Sequence, residues 1–176
     1  AGAGRVPVLS GHAELMSRCL VVIDAQDWIL DLAGGPLSRA ELISAIARRV
    51  AQFRAGNVPI IWVRFLRQDG SDGGPDGAAQ IADGCGLIDG DVVIDKFGVD
   101  AFAGTELDSV LQAMRIDELE LVGFSTAHAI IETAVTGADL GYRISVRADA
   151  CSAPTAQMHA DALQQLKRVC GIIVEA

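Results

Sequence analysis

The stretch ELELVGFSTAHAIIETA, residues 118–134, indicates the fold class of this chain. An apolar run ends in a turn of small residues, and a helical segment follows directly. Strand, turn and helix in this order form the repeating unit of α/β proteins, in which the helix N-terminus offers unpaired N–H donors and positive potential. Reactive groups are commonly placed at such a turn, yet the residue at the opening of this helix is Ala129.

Five other apolar runs resemble 118–124, and amphipathic segments separate them. All six runs are short, rich in Val and Ile, and bounded by Gly, Pro or Asp, which is typical of buried parallel strands. The predicted strands are 19–25, 59–65, 91–96, 118–124, 142–149 and 171–176. Strands that alternate with helices predict a six-stranded, mostly parallel, doubly wound sheet in a three-layer α/β/α architecture. Ligands in such sheets bind beyond the C-terminal ends of the strands.

Three helices are predicted from apolar residues at helical spacing. The first spans 38–56, with Ser38 as its N-cap and Gly56 at its end. The second begins at Thr105, predicted as its N-cap, and the third covers 155–170. We expect residues 1–18 to be an extension ahead of a single domain, 19–176.

Composition and charge exclude several classes of function. The chain has 14 Lys and Arg against 23 Asp and Glu, a net charge of −9, which argues against nucleic acid or an anionic membrane as the main partner. No apolar run approaches the roughly 20 residues of a membrane span. The four cysteines form no C-x-x-C pair, so a reducing cytoplasm is the expected location. A small-molecule substrate is the expected partner.

The segment 66–90 is dense in Gly and Asp and has no clear period. Its glycines do not follow a strand-to-helix turn, so it carries no dinucleotide or phosphate-binding fingerprint. Four of its acids could in principle hold a cation, but a solvated surface loop is the favoured interpretation. These acids are Asp69, Asp72, Asp76 and Asp83.

Two opposite charges lie at the C-terminal ends of predicted strands. Asp24 is near the end of the first strand, directly after the apolar LVVI, and Lys96 ends the third. Each alone is compatible with a plain structural role, as a turn cap or a surface lysine. Together with the turn at 125–129, they place an acid or base, a cation and a set of N–H donors at one edge of the sheet, which is the composition of a catalytic site.

Four segments in order resemble one known family, the isochorismatase-like hydrolases, which include nicotinamidases, N-carbamoylsarcosine amidases and isochorismatases. The segments are CLVVIDAQDWIL (19–30), VIDKFGVDAFAGTELDSVL (93–111), LVGFSTAHAIIETA (121–134), and GYRISVRADACSA (141–153) with His159 and ALQQL after it. The resemblance covers nearly the whole chain from about Cys19 onward.

The resemblance implies a catalytic trio of Asp24, Lys96 and position 129. In the family the aspartate accepts the proton of a cysteine thiol, the lysine holds the aspartate, and the thiolate attacks a carbonyl carbon. The backbone N–H groups of Ser125 and residue 129 would stabilise the oxyanion, and a cis peptide bond between Phe124 and Ser125 would aim them.

Ala129 departs from this pattern, because it carries no nucleophile. Two explanations stay open: a deliberate Cys-to-Ala change, or a natural chain without the thiol, as in true isochorismatases. The expected function is hydrolysis of an amide or carbamoyl C–N bond when position 129 is Cys. The alternatives are a non-catalytic binding protein and a vinyl-ether hydrolase in which Asp24 is the general acid.

Other residues indicate what the candidate site could bind and which side chains could line it. The segment after the second strand has no His, so we expect neither a nicotinamidase-type metal site nor any cofactor. Trp28 and Trp62 could line the pocket or belong to the core, and His128 could contact substrate or pack. The family resemblance further implies a homodimer or homotetramer.

Overall fold

The computed structural model describes residues 17–72 and 77–176. It contains six parallel strands: β1 (Arg18–Ile23), β2 (Ile60–Phe65), β3 (Val92–Lys96), β4 (Glu118–Phe124), β5 (Arg143–Ser152) and β6 (Ile172–Glu175). Five α-helices accompany them: α1 (Asp27–Leu30), α2 (Arg39–Ala55), α3 (Leu107–Ala113), α4 (Ile131–Asp139) and α5 (Ala156–Leu166). The predicted fold class, and each of the six predicted strands, is confirmed within a few residues.

The sheet separates two hydrophobic cores, because successive side chains of a strand point to opposite faces. In β1, Cys19, Val21 and Ile23 face one core, which α3, α4 and α5 complete. Leu20 and Val22 face the other core, which α1 and α2 complete. These two layers of helices are the reason that the central strands are apolar on both faces.

The strand order, β3-β2-β1-β4-β5-β6, reverses direction between β1 and β4. Open parallel sheets bind ligands at such a switch point, because the chain leaves the two neighbouring strands toward opposite faces and opens a crevice. Here Ile23 pairs with Gly123, so β1 and β4 end side by side. This register brings the turns after the two strands together.

Helix capping agrees with the sequence in one helix and differs by one residue in another. At α2, the Ser38 side chain accepts from the Glu41 N–H, and the Glu41 carboxylate accepts from the Ser38 N–H, which is a capping box. At α3, the N-cap is Glu106 rather than the predicted Thr105. The Thr105 hydroxyl still accepts from the Leu107 N–H at 3.2 Å, so Thr105 supports this end from one position earlier.

The described part of the segment 66–90 is not simply a solvated loop. Ile81 forms an antiparallel bridge with Gln26, and Cys85 is completely buried. The Asp91 carboxylate holds the end of the segment, because it accepts from the Ile88 N–H, from Arg54 and from the Trp62 indole. Asp76 lies outside the described residues. Among all residues that the structure describes, no group of three or more His, Cys, Asp or Glu side chains could hold a metal ion.

The predicted extension, 1–18, also lies mostly outside the described residues. Its last residue, Arg18, belongs to β1, and the Ser17 carbonyl accepts from the N–H groups of Asp117 and Glu118. Among the described helices, none is both long and apolar enough to cross a bilayer.

Candidate active site

Asp24 lies in the turn directly after β1, and its side chain is almost completely buried. Its backbone has φ 53°, a left-handed conformation that costs a non-glycine residue about 1–2 kcal/mol. Its N–H donates to the Val63 carbonyl at 2.8 Å, which ties the turn to β2. One carboxylate oxygen, Oδ2, lies 2.9 Å from Lys96 Nζ, whereas Oδ1 has no hydrogen-bond partner among the described residues.

The ammonium group of Lys96, at the end of β3, contacts one carboxylate, two backbone carbonyls and one aromatic ring. Nζ lies 2.9 Å from Asp24 Oδ2 and donates to the carbonyls of Gly98 and Val99, also at 2.9 Å. It lies 5.6 Å from the centroid of the Phe65 ring, within cation–π range. An ammonium has three N–H donors, and these three acceptors use them all. Lys96 therefore orients Asp24 and has no spare donor for a substrate.

Burial controls the proton affinity of Asp24. Desolvation raises the pKa of this carboxyl to about 6, and the charge and hydrogen bond of Lys96 oppose that rise. A carboxyl with a pKa of about 6 is protonated in about half of the molecules at pH 6 and in about a tenth at pH 7, so it can act as an acid or as a base in this range.

The turn after β4 has the cis peptide bond that the family resemblance implied and a π-helical turn that was not predicted. The peptide bond between Phe124 and Ser125 is cis, as predicted. Residues Thr126–Ile130 form one π-helical turn that leads into α4, with Ser125 as its N-cap. The Ser125 carbonyl accepts from the N–H groups of His128 and Ile130, at 3.0 and 3.1 Å. This wide register pairs Ser125 with Ile130 instead of Ala129, the usual α-helical partner.

Buried hydrogen bonds fix this turn to the rest of the domain. The Thr126 hydroxyl donates to the Ser152 carbonyl at 3.0 Å and contacts His159 Nδ1 at 2.8 Å. A hydroxyl has one hydrogen, so His159 Nδ1 is the donor in the second contact. Burial lowers the pKa of His159, which favours the uncharged ring beside the turn.

The C-terminal ends of β1, β2, β3 and β4 border a cavity of about 190 Å³. Asp24, Lys96, Ser125, His128 and Ala129 border it, and the other walls are mainly apolar. Those walls are formed by Trp28, Ile29, Leu32, Phe65, Gly98, Val99 and Phe124. The structure thus brings six of the seven residues proposed from the sequence to one cavity.

The Isochorismatase domain family model matches residues 18–176, which is almost all of the described chain. The chain belongs to the isochorismatase family. It is 32% identical over 164 residues to the uncharacterized isochorismatase family protein YecD of Escherichia coli O157:H7, a match that covers 85% of this chain and 87% of that protein.

Solved structures of this family superpose on the chain over most of its length. An isochorismatase family protein from Burkholderia thailandensis has a TM-score of 0.82 at 28% identity, and the match covers 90% of this chain and 91% of that one. The N-carbamoylsarcosine amidase from Thermoplasma acidophilum has a TM-score of 0.73 at 25% identity, with coverage of 91% and 96%.

The seventh candidate residue, Trp62, does not border the cavity, so of the two roles left open for it the structure supports the core and not the pocket. Trp62 is completely buried in the core beside α2, and its indole N–H donates to Asp91 Oδ2 at 3.0 Å. The physical reason is its position three residues before the end of β2, inside the sheet instead of at its C-terminal edge.

Sequence reasoning missed several residues that line the cavity of this candidate site. Phe65, the last residue of β2, could have been found by the same strand-end rule that selected Asp24 and Lys96. Its position depends on Gln26, whose side-chain amide donates to the Phe65 carbonyl and accepts from the Phe65 N–H, at 2.8 and 2.6 Å. Leu32 and Val99 lie in loops, where no pattern in the sequence indicates which way a side chain points.

Proposed function

We propose that this isochorismatase-family chain hydrolyses a small, largely apolar substrate by proton transfer from Asp24, without a covalent intermediate. The observation that supports this is the state of the Asp24 carboxyl. It borders the cavity, one oxygen is held by Lys96, the other has no partner among the described residues, and burial raises its pKa to about 6.

A vinyl ether is the substrate class that this arrangement suits. Asp24 would give its proton to the terminal vinyl carbon, which leaves an oxocarbenium ion at the neighbouring carbon. A water molecule would add to that carbon and return a proton to the Asp24 carboxylate. The C–O bond of the resulting hemiketal would then break to release a ketone and an alcohol. No step requires a nucleophile at position 129, where this chain has Ala129.

A second function is hydrolysis of an amide or carbamoyl C–N bond by a form with cysteine at position 129. It is favoured by the turn at 124–130, where Ser125 and Ala129 border the cavity next to Asp24. A thiol at 129 would lose its proton to Asp24 and attack the carbonyl carbon, with the Ser125 and residue 129 N–H groups as oxyanion donors. The similarity to an N-carbamoylsarcosine amidase adds support to this function.

The test compares the chain that carries Ala129 with its Ala129→Cys variant, each assayed from pH 5 to 8 on vinyl ethers and on amides and ureas. For the chain that carries Ala129 we expect vinyl-ether hydrolysis whose kcat/KM falls as the pH rises through about 6, because the protonated form of Asp24 is lost. For Ala129→Cys we expect amide hydrolysis that rises through the same range, because the ionised carboxylate must accept the thiol proton.

Asp24→Asn should abolish both reactions, and Asp31→Asn, which removes an exposed carboxylate nearby, should leave both intact. Turnover by neither protein, with substrate analogues still bound in the cavity, would contradict both functions and support a binding protein.

The small-molecule partner, the cytoplasmic location and a homodimer or homotetramer are part of the proposal. Sedimentation of the purified chain tests its assembly state.

A further inference from the structure

Two polar side chains in the cavity take no part in the proton transfer by Asp24, and they contact each other. The hydroxyl Oγ of Ser125 lies 3.2 Å from His128 Nδ1, and both residues border the same cavity as Asp24. A hydroxyl within hydrogen-bond reach of an imidazole nitrogen is the basic unit of serine hydrolases, and unrelated folds have arrived at it.

The surrounding hydrogen bonds indicate which atom donates. The Ala127 N–H donates to Ser125 Oγ at 3.3 Å, so one lone pair of that oxygen is already used. In the described part of the chain, the Ser125 hydroxyl hydrogen has no acceptor other than His128 Nδ1. The arrangement that satisfies every group therefore has the serine donating and the imidazole accepting, which is the direction that a general base requires.

The environments of the two residues suit nucleophile and base. Ser125 is 5% exposed and borders a cavity whose other walls are mainly apolar, so an acyl group entering the cavity would displace water from around this residue. His128 is exposed, so water can reach its ring for the second half of a hydrolytic cycle. Ala129, with only a methyl group, leaves the space beside this pair free of a competing side chain.

We propose that Ser125 and His128 form a nucleophile and general-base pair that gives this cavity an esterase activity on short, apolar acyl esters. Ser125 Oγ attacks the ester carbonyl carbon as His128 Nδ1 takes the hydroxyl proton, and a bond forms between Oγ and carbon. The bond between that carbon and the alcohol oxygen breaks, and the alcohol leaves with the proton from His128. Water then attacks the acyl-serine while His128 takes its proton. The Oγ–carbon bond breaks, and the proton returns to Ser125, which releases the carboxylic acid.

This activity goes beyond the proton transfer by Asp24 and uses different atoms. The ammonium of Lys96 and one oxygen of Asp24 are paired with each other, and neither enters the acyl-transfer steps. The two activities can therefore be lost separately.

A fluorophosphonate probe tests the pair directly, because it modifies serines that are activated as nucleophiles. Trypsin cuts after Arg115 and Arg143, and the peptide 116–143 contains a single serine, Ser125. We expect the probe to add to this peptide of the unsubstituted chain, and we expect a burst of about one equivalent of p-nitrophenol from p-nitrophenyl acetate. His128→Gln should slow both reactions by about 100-fold, the magnitude of a lost general base.

Two further variants show whether the label depends on Ser125 and whether it is independent of Asp24. Asp24→Asn should lose vinyl-ether turnover but keep the label, which separates this pair from the function proposed above. Ser125→Ala should lose label and burst; if that variant does not fold, the peptide map of the unsubstituted chain and the His128→Gln rates still decide. An unmodified 116–143 peptide, or labelling that stays within twofold in a folded His128→Gln protein, would overturn the proposal.

Discussion

At the scale of single residues, the pair of Asp24 and Lys96 is the most unusual feature of the chain. Removing two charges from water costs several kcal/mol per ion, and a buried pair recovers this only with good geometry and additional hydrogen bonds. Lys96 meets that condition through the carbonyls of Gly98 and Val99, but Asp24 does not, because Oδ1 has no partner among the described residues. Buried groups whose pKa is strongly shifted cluster at functional sites, and the raised pKa of Asp24 together with its free oxygen therefore supports a catalytic role.

The electrostatic role of Lys96 predicts a shift in proton affinity. Lys96→Met removes the positive charge that lowers the pKa of Asp24, so that only burial acts on this carboxyl. The pKa of Asp24 should then rise from about 6 to about 7–9. The measurement is a carbon-13 NMR titration of the aspartate carboxyl groups, which needs no activity. The vinyl-ether profile should move toward higher pH by the same amount, because the protonated form then persists longer.

Lys167→Met is the matched control, since Lys167 is the other lysine of the chain and is exposed. It makes the same change in net charge and should leave the titration of Asp24 in place. An Asp24 pKa that is unchanged or lower in Lys96→Met would contradict the electrostatic role.

At the scale of elements, the close contact of β1 and β4 depends on Gly123. A Cβ built on this residue would lie 2.0 Å from the carbonyl oxygen of Ile23, and the backbone has φ 124°. Only glycine fits both restrictions. The contact matters for the site because Asp24 directly follows Ile23, and Ser125 lies two residues after Gly123.

We therefore expect Gly123→Ala to be strongly destabilising. Gly141→Ala is the matched control: Gly141 also has a positive φ, 97°, but a Cβ there would meet nothing within 4 Å. The control should lower the free energy of unfolding by about 1–3 kcal/mol, the cost of backbone strain alone. Gly123→Ala should cost clearly more or prevent folding. Urea denaturation measures both, and equal losses would contradict the steric argument.

The capping box of α2 gives a smaller, local prediction. Ser38→Ala removes the acceptor for the Glu41 N–H, so the free energy of unfolding should fall by about 1 kcal/mol. Ser44→Ala is the control within the same helix, where the exposed hydroxyl only donates to the Ala40 carbonyl. We expect Ser44→Ala to change stability by less than about 0.5 kcal/mol in the same denaturation experiment.

At the scale of the whole molecule, one buried carboxylate joins the central sheet to a helical layer. The Glu120 side chain on β4 is completely buried, and it forms ion pairs with Arg18 on β1 and Arg49 on α2. Both arginines also lie over the Phe53 ring, at 4.9 and 5.0 Å from its centroid. Neutralising Glu120 would leave two arginines without their shared counter-charge.

Glu120→Gln should accordingly lower the free energy of unfolding by about 3 kcal/mol, the low end for breaking a buried pair. Glu118→Gln provides the comparison, because Glu118 also pairs with Arg18 but is partly exposed and should lose less than about 1 kcal/mol. Thermal unfolding of the two variants at one pH measures the difference. Similar losses in both would show that the burial of Glu120 is not what makes its pairs strong.

The sequence by itself determined the fold class and the polar centre of the candidate site. Short Val- and Ile-rich runs alternating with amphipathic segments can bury their apolar faces only as a parallel sheet between helices. Because the C-terminal ends of parallel strands share one edge, Asp24, Lys96 and the turn at 125–129 could be brought together from their positions after the strands alone.

Only the tertiary structure decided which other side chains form the cavity and which atoms contact each other. Trp62 and Phe65 lie on one strand, yet Trp62 packs in the core and Phe65 borders the cavity. The contact of Ser125 with His128 and the full set of acceptors on Lys96 depend on turn and loop geometry. The physical reason is that hydrophobic periodicity specifies which face of an element is buried, whereas a pocket is defined by side-chain directions in loops and at strand ends, where no period operates.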